Sequence, residues 1–271
     1  MKGLNFKPRL KPSDQICDIH NEVMVITSSV PVNVPFCQTC AKERIAERNK
    51  NIEISGGEQL LKQETYDWLK RYSIGLGDRM AKQKFSTYET DENEPETIKN
   101  KQAARLIAKE YIDGGTFNTI FTGNAGAGKS HLAYAMLVAI NEHSRPYKKV
   151  VYVSISKVIR MVTSSFKDNK SDITEDSMIE FLIKPDVLLI DDLGAEVGAI
   201  GTEKRASDFI NKVIKGVLEE RDEKPTIFTT NLNSVQLANI YDERLLSRIL
   251  RGTKGHTLTF NETADKRFEQ F

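Results

Sequence analysis

The sequence predicts an α/β protein: a parallel sheet flanked by helices, preceded by a small cysteine-bearing module and a helical linker. Three observations carry this. Four runs, "NTIFT", "KVVYVS", "DVLLIDD" and "PTIFTTN", are apolar without alternation, as strands covered on both faces are. Helical stretches separate them, and strand–helix alternation implies parallel pairing. A glycine-rich turn, "GNAGAGKSHL", joins the first run to the helix behind it.

Along the chain, residues 1–45 hold the cysteines, several prolines and two β-like stretches, "EVMVITSS" and "PVNVPF", and read as a small β-rich module. From Ala41 the pattern turns helical ("AKERIAERNK"), is expected to stop at "SGG", and resumes in "EQLLKQETYDWLKRY" with Leu60, Leu61, Tyr66, Trp68 and Leu69 as its apolar positions. Basic "DRMAKQKF" then gives way to acidic "YETDENEPE", a composition break that ends a linker spanning 46–84. Residues 85–271 form the main domain. Its helices are "IKNKQAARLIAKEYI", "SHLAYAMLVAINEH", "ISKVIRMVTSSF", "RASDFINKVIKGVLEERD", "SVQLANI" and "YDERLLSRILRG".

A chain of 271 residues can bury a sizeable core, and 39 basic against 38 acidic side chains leave a formal charge of +1. Any nucleic-acid contact must then come from local basic patches. The N-terminal charges precede no apolar segment, and no run approaches the roughly 18 apolar residues of a membrane span, so a soluble, cytoplasmic chain is expected. The three cysteines all precede position 41, which suits a metal site better than a disulfide framework.

Gly123, Gly128, Lys129 and Ser130 satisfy G-x-x-x-x-G-K-[ST], with a strand before and a helix after. In that setting backbone N–H groups along Gly123, Asn124, Ala125, Gly126, Ala127, Gly128, Lys129, Ser130 and His131 face nucleotide phosphates. Lys129 reaches the β/γ oxygens, and the Ser130 hydroxyl binds Mg²⁺. A plain surface turn would leave Lys129 unexplained. In "DVLLIDDLG" two acids end a buried-type strand: Asp191 suits a Mg²⁺ ligand and Asp192 a group that polarises the attacking water, although a strand end running into a turn reads the same way. Asn231, at the end of "TIFTTN", is placed to orient that water. With the two preceding motifs it marks ATPases that insert an extra strand between the loop strand and the acid strand. Arg244 and Arg248 lie one helical turn apart and can point at a neighbour's phosphates; alternatively the helix is solvated, with Leu245, Leu246, Ile249 and Leu250 buried.

"GNAGAGKSHLAYAM", "VLLIDDLGAE", "TTNL" and "ERLLSRIL", in this order, resemble the bacterial and phage replicative helicase loaders of the DnaC/DnaI family, a clade of AAA+ ATPases. The resemblance spans roughly residues 85–271. It implies ATP hydrolysis, assembly on a DnaB-type hexameric replicative helicase, placement of that helicase on single-stranded DNA, and self-association through the ATP interface. By position it implies Lys129 and Ser130 on phosphates and Mg²⁺, Asp191 and Asp192 as Walker B, Asn231 as sensor 1, Arg248 as the arginine finger and Arg267 as sensor 2. "FSTYE", Phe85 to Glu89, resembles the stretch beside the adenine. Hydrolases of this type often carry Glu where Asp192 stands. The same core motifs resemble IstB-type transposition helpers, and a nucleotide-binding helicase adaptor or inhibitor with little turnover would use the same site.

Cys17-x₂-His20, followed after sixteen residues by Cys37-x₂-Cys40, offers four soft ligands in two pairs that a β-hairpin can bring together as a tetrahedral Zn²⁺ site. The alternative is three reduced cysteines and a surface histidine. A zinc module ahead of this core resembles the helicase-binding N-terminal region of DnaI-like and phage loaders and differs from the usual IstB N-terminus. Phe166, Lys167 and Lys170 in "SSFKDNK" suit stacking and phosphate contact with single-stranded DNA, or a solvated loop.

Overall fold

The computed structural model describes residues 10–27, 35–165, 173–195 and 204–267. The chain divides into two compact units, Met1–Leu61 and Lys62–Phe271.

In the first unit, β1 (Leu10–Ile16) pairs antiparallel with β2 (Val23–Thr27), from Leu10↔Thr27 to Ile16↔Val23. Phe36 adds an isolated bridge to Val25. Strand β2 was legible in "EVMVITSS", whereas β1 was not: "LKPSDQI" is exposed at nearly every position and carries no apolar rhythm. Most of "PVNVPF" lies outside the described residues. Helix α1 (Gln38–Tyr72) then runs 35 residues without the stop expected at Ser55–Gly57. Each glycine costs a helix interior about 1 kcal/mol, but starting a second helix would require a new, unfavourable nucleus. Of the predicted apolar positions, Leu69 is buried and Trp68 half-buried, while the side chains of Leu60, Leu61 and Tyr66 lie outside the described set.

The second unit is built on β3 (Thr119–Gly123), β4 (Val150–Ser154), β5 (Val187–Asp191), β6 (Thr226–Thr230) and β7 (Thr257–Phe260). They form a wholly parallel sheet in the order β4-β5-β6-β3-β7. Helices α2 (Asp78–Ala81), α3 (Pro95–Ile112), α4 (Lys129–His143), α5 (Ile155–Ser165), α6 (Glu175–Ile183), α7 (Lys204–Glu219), α8 (Ser234–Ile240) and α9 (Glu243–Ile249) complete it. Successive strand residues point to opposite faces. Tyr152, Leu189, Ile227 and Phe121 join the core under α3 and α4, while Val151, Leu188, Phe228 and Ile120 join the core under α5 to α9. This is the predicted α/β fold with a parallel sheet covered on both faces.

In this unit β7, α6 and the single turn α2 were not anticipated. Strand β7 is only four residues long and alternates, exposing Thr257 and Thr259 and burying Leu258 and Phe260, as an edge strand does. Helix α6 is set by a reciprocal cap between Thr174 and Ser177. Strand β6 lies between β3 and β5, the inserted position expected from "TIFTTN". No helix among the described residues is long and apolar enough to cross a membrane.

Candidate functional site

Strand β3 ends at Gly123 and α4 begins at Lys129, so the glycine-rich stretch is strung between a strand end and a helix N-terminus. The unpaired N–H groups and positive dipole end of a helix favour an anion there. Gly123 has φ +126, and a Cβ on it would stand 2.3 Å from the Phe260 carbonyl oxygen, so only glycine fits where β3 passes β7. Asn124 donates from its backbone N to Phe260 O at 2.7 Å and from Nδ2 to Asn261 O at 2.9 Å. Ala125 is exposed and Ala127 fully buried. Gly126 lies against the Asp265 carboxylate and accepts a bond from Lys266 N at 3.3 Å. Ser130, half-buried, is the second residue of α4.

Lys129 is 5% exposed, and its ammonium donates to Gly123 O at 2.9 Å, Asn124 O at 2.5 Å and Asn231 Oδ1 at 2.7 Å. Burial pulls its pKa down, with Arg267 adding to the effect and Asp192 and Asp191 opposing it. Asp191 is also buried; it accepts from Tyr152 Oη at 2.7 Å and Thr229 Oγ1 at 2.5 Å. Asp192 stands at φ +60, in the left-handed region, with its backbone N donating to Thr229 Oγ1 at 2.9 Å. Burial, then the charge of Asp191, raises the Asp192 pKa. A carboxylate whose proton affinity is raised beside a buried acid is a suitable proton acceptor.

The "FSTYE" segment packs on this loop. The Tyr88 ring touches Gly128, where a Cβ would stand 2.8 Å from Cε2, and meets the His131 ring edge-on at 5.1 Å. His131 Nε2 lies 3.1 Å from both Thr87 Oγ1 and Lys84 O, and burial lowers its pKa. The Tyr88 hydroxyl is buried without a hydrogen-bond partner among the described residues, and its pKa is pushed up to about 12, chiefly by burial.

Arg267 is exposed and pairs with Asp265 at 3.3 Å, close enough for its charge to act on Lys129 and Asp192. Arg248 is not brought to this loop. Its carbonyl accepts from Asn118 Nδ2 at 2.8 Å, at the opposite end of β3, and its guanidinium pairs with Glu219 at 3.3 Å. Arg244 is exposed, Leu245 and Ile249 are buried and Leu246 is half-buried, but Leu250, expected inside, is 40% exposed because α9 ends at Ile249. Phe166, Lys167 and Lys170 lie outside the described residues.

In the first unit, Cys17 and His20 occupy the turn of the β1–β2 hairpin, and Cys37 and Cys40 the start of α1. Their ligand atoms all lie within 4.8 Å of one another. The separations are 3.7 Å for Cys17 to Cys40, and 3.9, 3.6 and 3.3 Å from His20 Nδ1 to Cys17, Cys37 and Cys40. A tetrahedron with zinc–sulfur and zinc–nitrogen bonds of usual length has edges of about 3.5–3.8 Å, so the donor set fits the ion. His20 Nε2 meets Glu43 Oε1 at 3.2 Å, and Glu22 accepts from Thr39 at 2.7 Å while lying 3.7 Å from Cys37 Sγ. The Cys17 thiol is lowered to about 6, first by the backbone N–H of His20, whereas burial pushes Cys40 up to about 11.

Sequence reasoning missed Tyr152, Thr229, Asp265 and Glu43. The first two sit on strands next to β5, and no motif spacing reports a neighbour in a sheet. Glu43 lies one helical turn after Cys40, a signal available once α1 is placed.

The fold and the loop define a nucleotide-binding domain of the AAA+ class. A family model described as IstB-like ATP binding protein matches residues 43–257, and the chain belongs to that family. It is 27% identical over 151 residues to the replicative helicase loader DnaC of Escherichia coli (strain K12), covering 55% of this chain and 56% of the relative. To the chromosomal replication initiator protein DnaA of Flavobacterium psychrophilum it is 33% identical over 152 residues, covering 56% of this chain and 29% of the relative. The chain thus spans little more than half the length of the curated loader. Among solved structures, that of the DnaC helicase loader matches with TM-score 0.54 and 21% identity over 68% of this chain and 100% of the other. That of DnaI matches at 0.50 and 22% over 70% and 96%.

Proposed function

We propose that this chain is an ATP-driven loader that binds a DnaB-type hexameric replicative helicase and places it on single-stranded DNA. The observation carrying the reading is the convergence of Asp191, Asp192 and Asn231, at the ends of the adjacent strands β5 and β6, on Lys129 at the N-terminus of α4. The residues fit a nucleotide: the loop is a cradle that a Cβ at Gly123 or Gly128 would fill, and the orphaned Tyr88 hydroxyl is a polar group suited to a ligand beside it. Gly123 to His131 would hold the phosphates of ATP, and Ser130 and Asp191 the Mg²⁺. The ion supplies charge neutralisation on the phosphate oxygens. Lys129 exchanges its carbonyl partners for phosphate oxygens, Asn231 orients the attacking water and Asp192 accepts its proton. Arg267 lies near enough to add positive charge. Arg248, at the far end of β3, suits a neighbour's site, which supports self-association through the ATP interface.

In the first unit, Cys17, His20, Cys37 and Cys40 would hold Zn²⁺, a crosslink for a module with few buried apolar residues. That module is the proposed helicase grip. The test is co-purification with a DnaB-type helicase and its transfer to single-stranded DNA with ATP. Capture with ATP-dependent transfer is expected for the wild-type chain and transfer is lost in Lys129→Ala; no affinity for the helicase overturns the reading.

The family match favours one other reading, a transposition helper. That reading predicts cooperative filaments on duplex DNA with ATP and no helicase capture. An adaptor or inhibitor would capture helicase with little ATP turnover.

A further inference from the structure

Both oxygens of the Asp191 carboxylate are engaged by hydroxyls from the two strands that flank β5. Tyr152, on β4, donates to Oδ2 at 2.7 Å, and Thr229, on β6, donates to Oδ1 at 2.5 Å. All three residues are at most 4% exposed. A carboxylate stripped of water needs such donors to replace the hydrogen bonds that hydration would supply. Each oxygen offers two acceptor positions, so one hydroxyl apiece leaves a second position open.

The parallel register creates the arrangement. Tyr152 pairs with Leu189, so its long side chain runs diagonally to Asp191 two residues on, and Ile190 pairs with Phe228, the residue before Thr229. The Tyr152 ring is held edge-on against Tyr134 of α4, with centroids 5.9 Å apart. Thr229 Oγ1 accepts the backbone N–H of Asp192 at 2.9 Å, which commits its single proton to Asp191. One hydroxyl therefore ties both acids to β6, including Asp192 in its left-handed conformation.

We propose that Tyr152 and Thr229 are positioning residues for Asp191, holding its carboxylate aimed so that its open acceptor positions face the Mg²⁺ of a bound nucleotide. This rests on the nucleotide-site reading above and gives roles to two residues that the sequence motifs left without one.

The experiment titrates Mg²⁺ against binding of a fluorescent ATP analogue to the full chain, with a metal-free titration in EDTA beside it. Tyr152→Phe keeps the ring and removes the donor; Thr229→Val keeps the shape; Thr229→Ser keeps the hydroxyl. Tyr152→Phe and Thr229→Val are expected to raise the half-maximal Mg²⁺ concentration about tenfold, the scale of losing a group that orients a metal ligand. Metal-free affinity stays within about twofold, and Thr229→Ser follows the wild type. Should Thr229→Val fail to fold because the Asp192 N–H is left unpaired, Tyr152→Phe decides alone. A Mg²⁺ midpoint for Tyr152→Phe that coincides with wild type, while Asp191→Asn shifts it, overturns the proposal. If wild-type binding does not tighten with Mg²⁺ at all, the nucleotide-site reading itself fails and the positioning roles fall with it.

Discussion

The Lys129 ammonium donates to Asn231 Oδ1 at 2.7 Å across 102 positions of sequence. The contact exists because β6 is inserted beside β3 and delivers Asn231 to the mouth of the glycine-rich loop. The two residues should separate binding from turnover. Lys129→Ala is expected to weaken ATP binding about 100-fold, the loss of charge-assisted bonds to phosphate. Asn231→Ala should bind ATP within about threefold of wild type and hydrolyse it about 100-fold more slowly. Nucleotide fluorescence and phosphate release measure the pair; equal losses of binding in both variants would contradict the division of labour.

Glu96 gathers the backbone N–H groups of Asn261, Glu262 and Thr263 and the Thr263 hydroxyl, at 2.6–3.1 Å. Burial raises its pKa, but these donors outweigh burial and leave it below the ordinary value. A lowered carboxylate contributes stability above its unfolded pKa, about 4.3, and loses it as pH falls through the folded value. Glu96→Gln should therefore melt a few degrees lower at pH 7, on the order of 1 kcal/mol for a half-exposed group. The gap should close as pH falls below about 4.3, and a gap that widens on acidification would refute the assignment.

At the Cys/His cluster, Cys40→Ser should purify without zinc. Glu43→Gln should keep the ion but hold it about tenfold more weakly, since Glu43 orients His20. Zinc content and competition with a chromophoric chelator read both; unchanged affinity in Glu43→Gln would reduce that contact to a surface ion pair.

Arg221, 1% exposed, donates to the carbonyls of Leu182, Pro185 and Pro225 and to the Thr226 hydroxyl, binding the start of β5 to the start of β6. Its charge has no carboxylate in ion-pair contact among the described residues, and burial lowers its pKa to about 9. Lysine cannot reproduce that planar fork, so Arg221→Lys is expected to cost about 2–4 kcal/mol in denaturant unfolding, with nucleotide affinity unchanged in the folded fraction. A loss under about 0.5 kcal/mol would show that these bonds are replaceable by water.

The glycine-rich loop was legible because a tight strand-to-helix turn needs particular residues at fixed spacing, and the grouping of Cys17, His20, Cys37 and Cys40 because of their paired spacing. The central strands were legible because burial on both faces removes polar residues from them. Strand β7 and strand β1 were hidden because their partners, not their own composition, make them strands: Leu258 pairs with Phe121, and Lys11 with Ile26. The run through Gly56 and Gly57 was misread because local propensity was weighed without the cost of nucleating a second helix. Tyr152 and Asp265 act across the fold, and only tertiary placement reveals them.

Where β3 meets β7, the glycine-rich loop is built from two stretches of chain made far apart in time. Gly123 and Asn124 lean on Phe260, Asn261 and Thr263, and Gly126 is covered by Asp265. A nascent chain that has emerged only as far as α9 already carries the glycine-rich loop, Asp191, Asp192, Asn231 and Arg248, yet lacks the wall against which the loop is shaped. Competence for nucleotide is therefore expected late in translation, and a product stopping before Thr257 is expected to bind no ATP. Ribosome-stalled chains of graded length, probed with a fluorescent ATP analogue, would show binding appearing only once residues 257–267 are free.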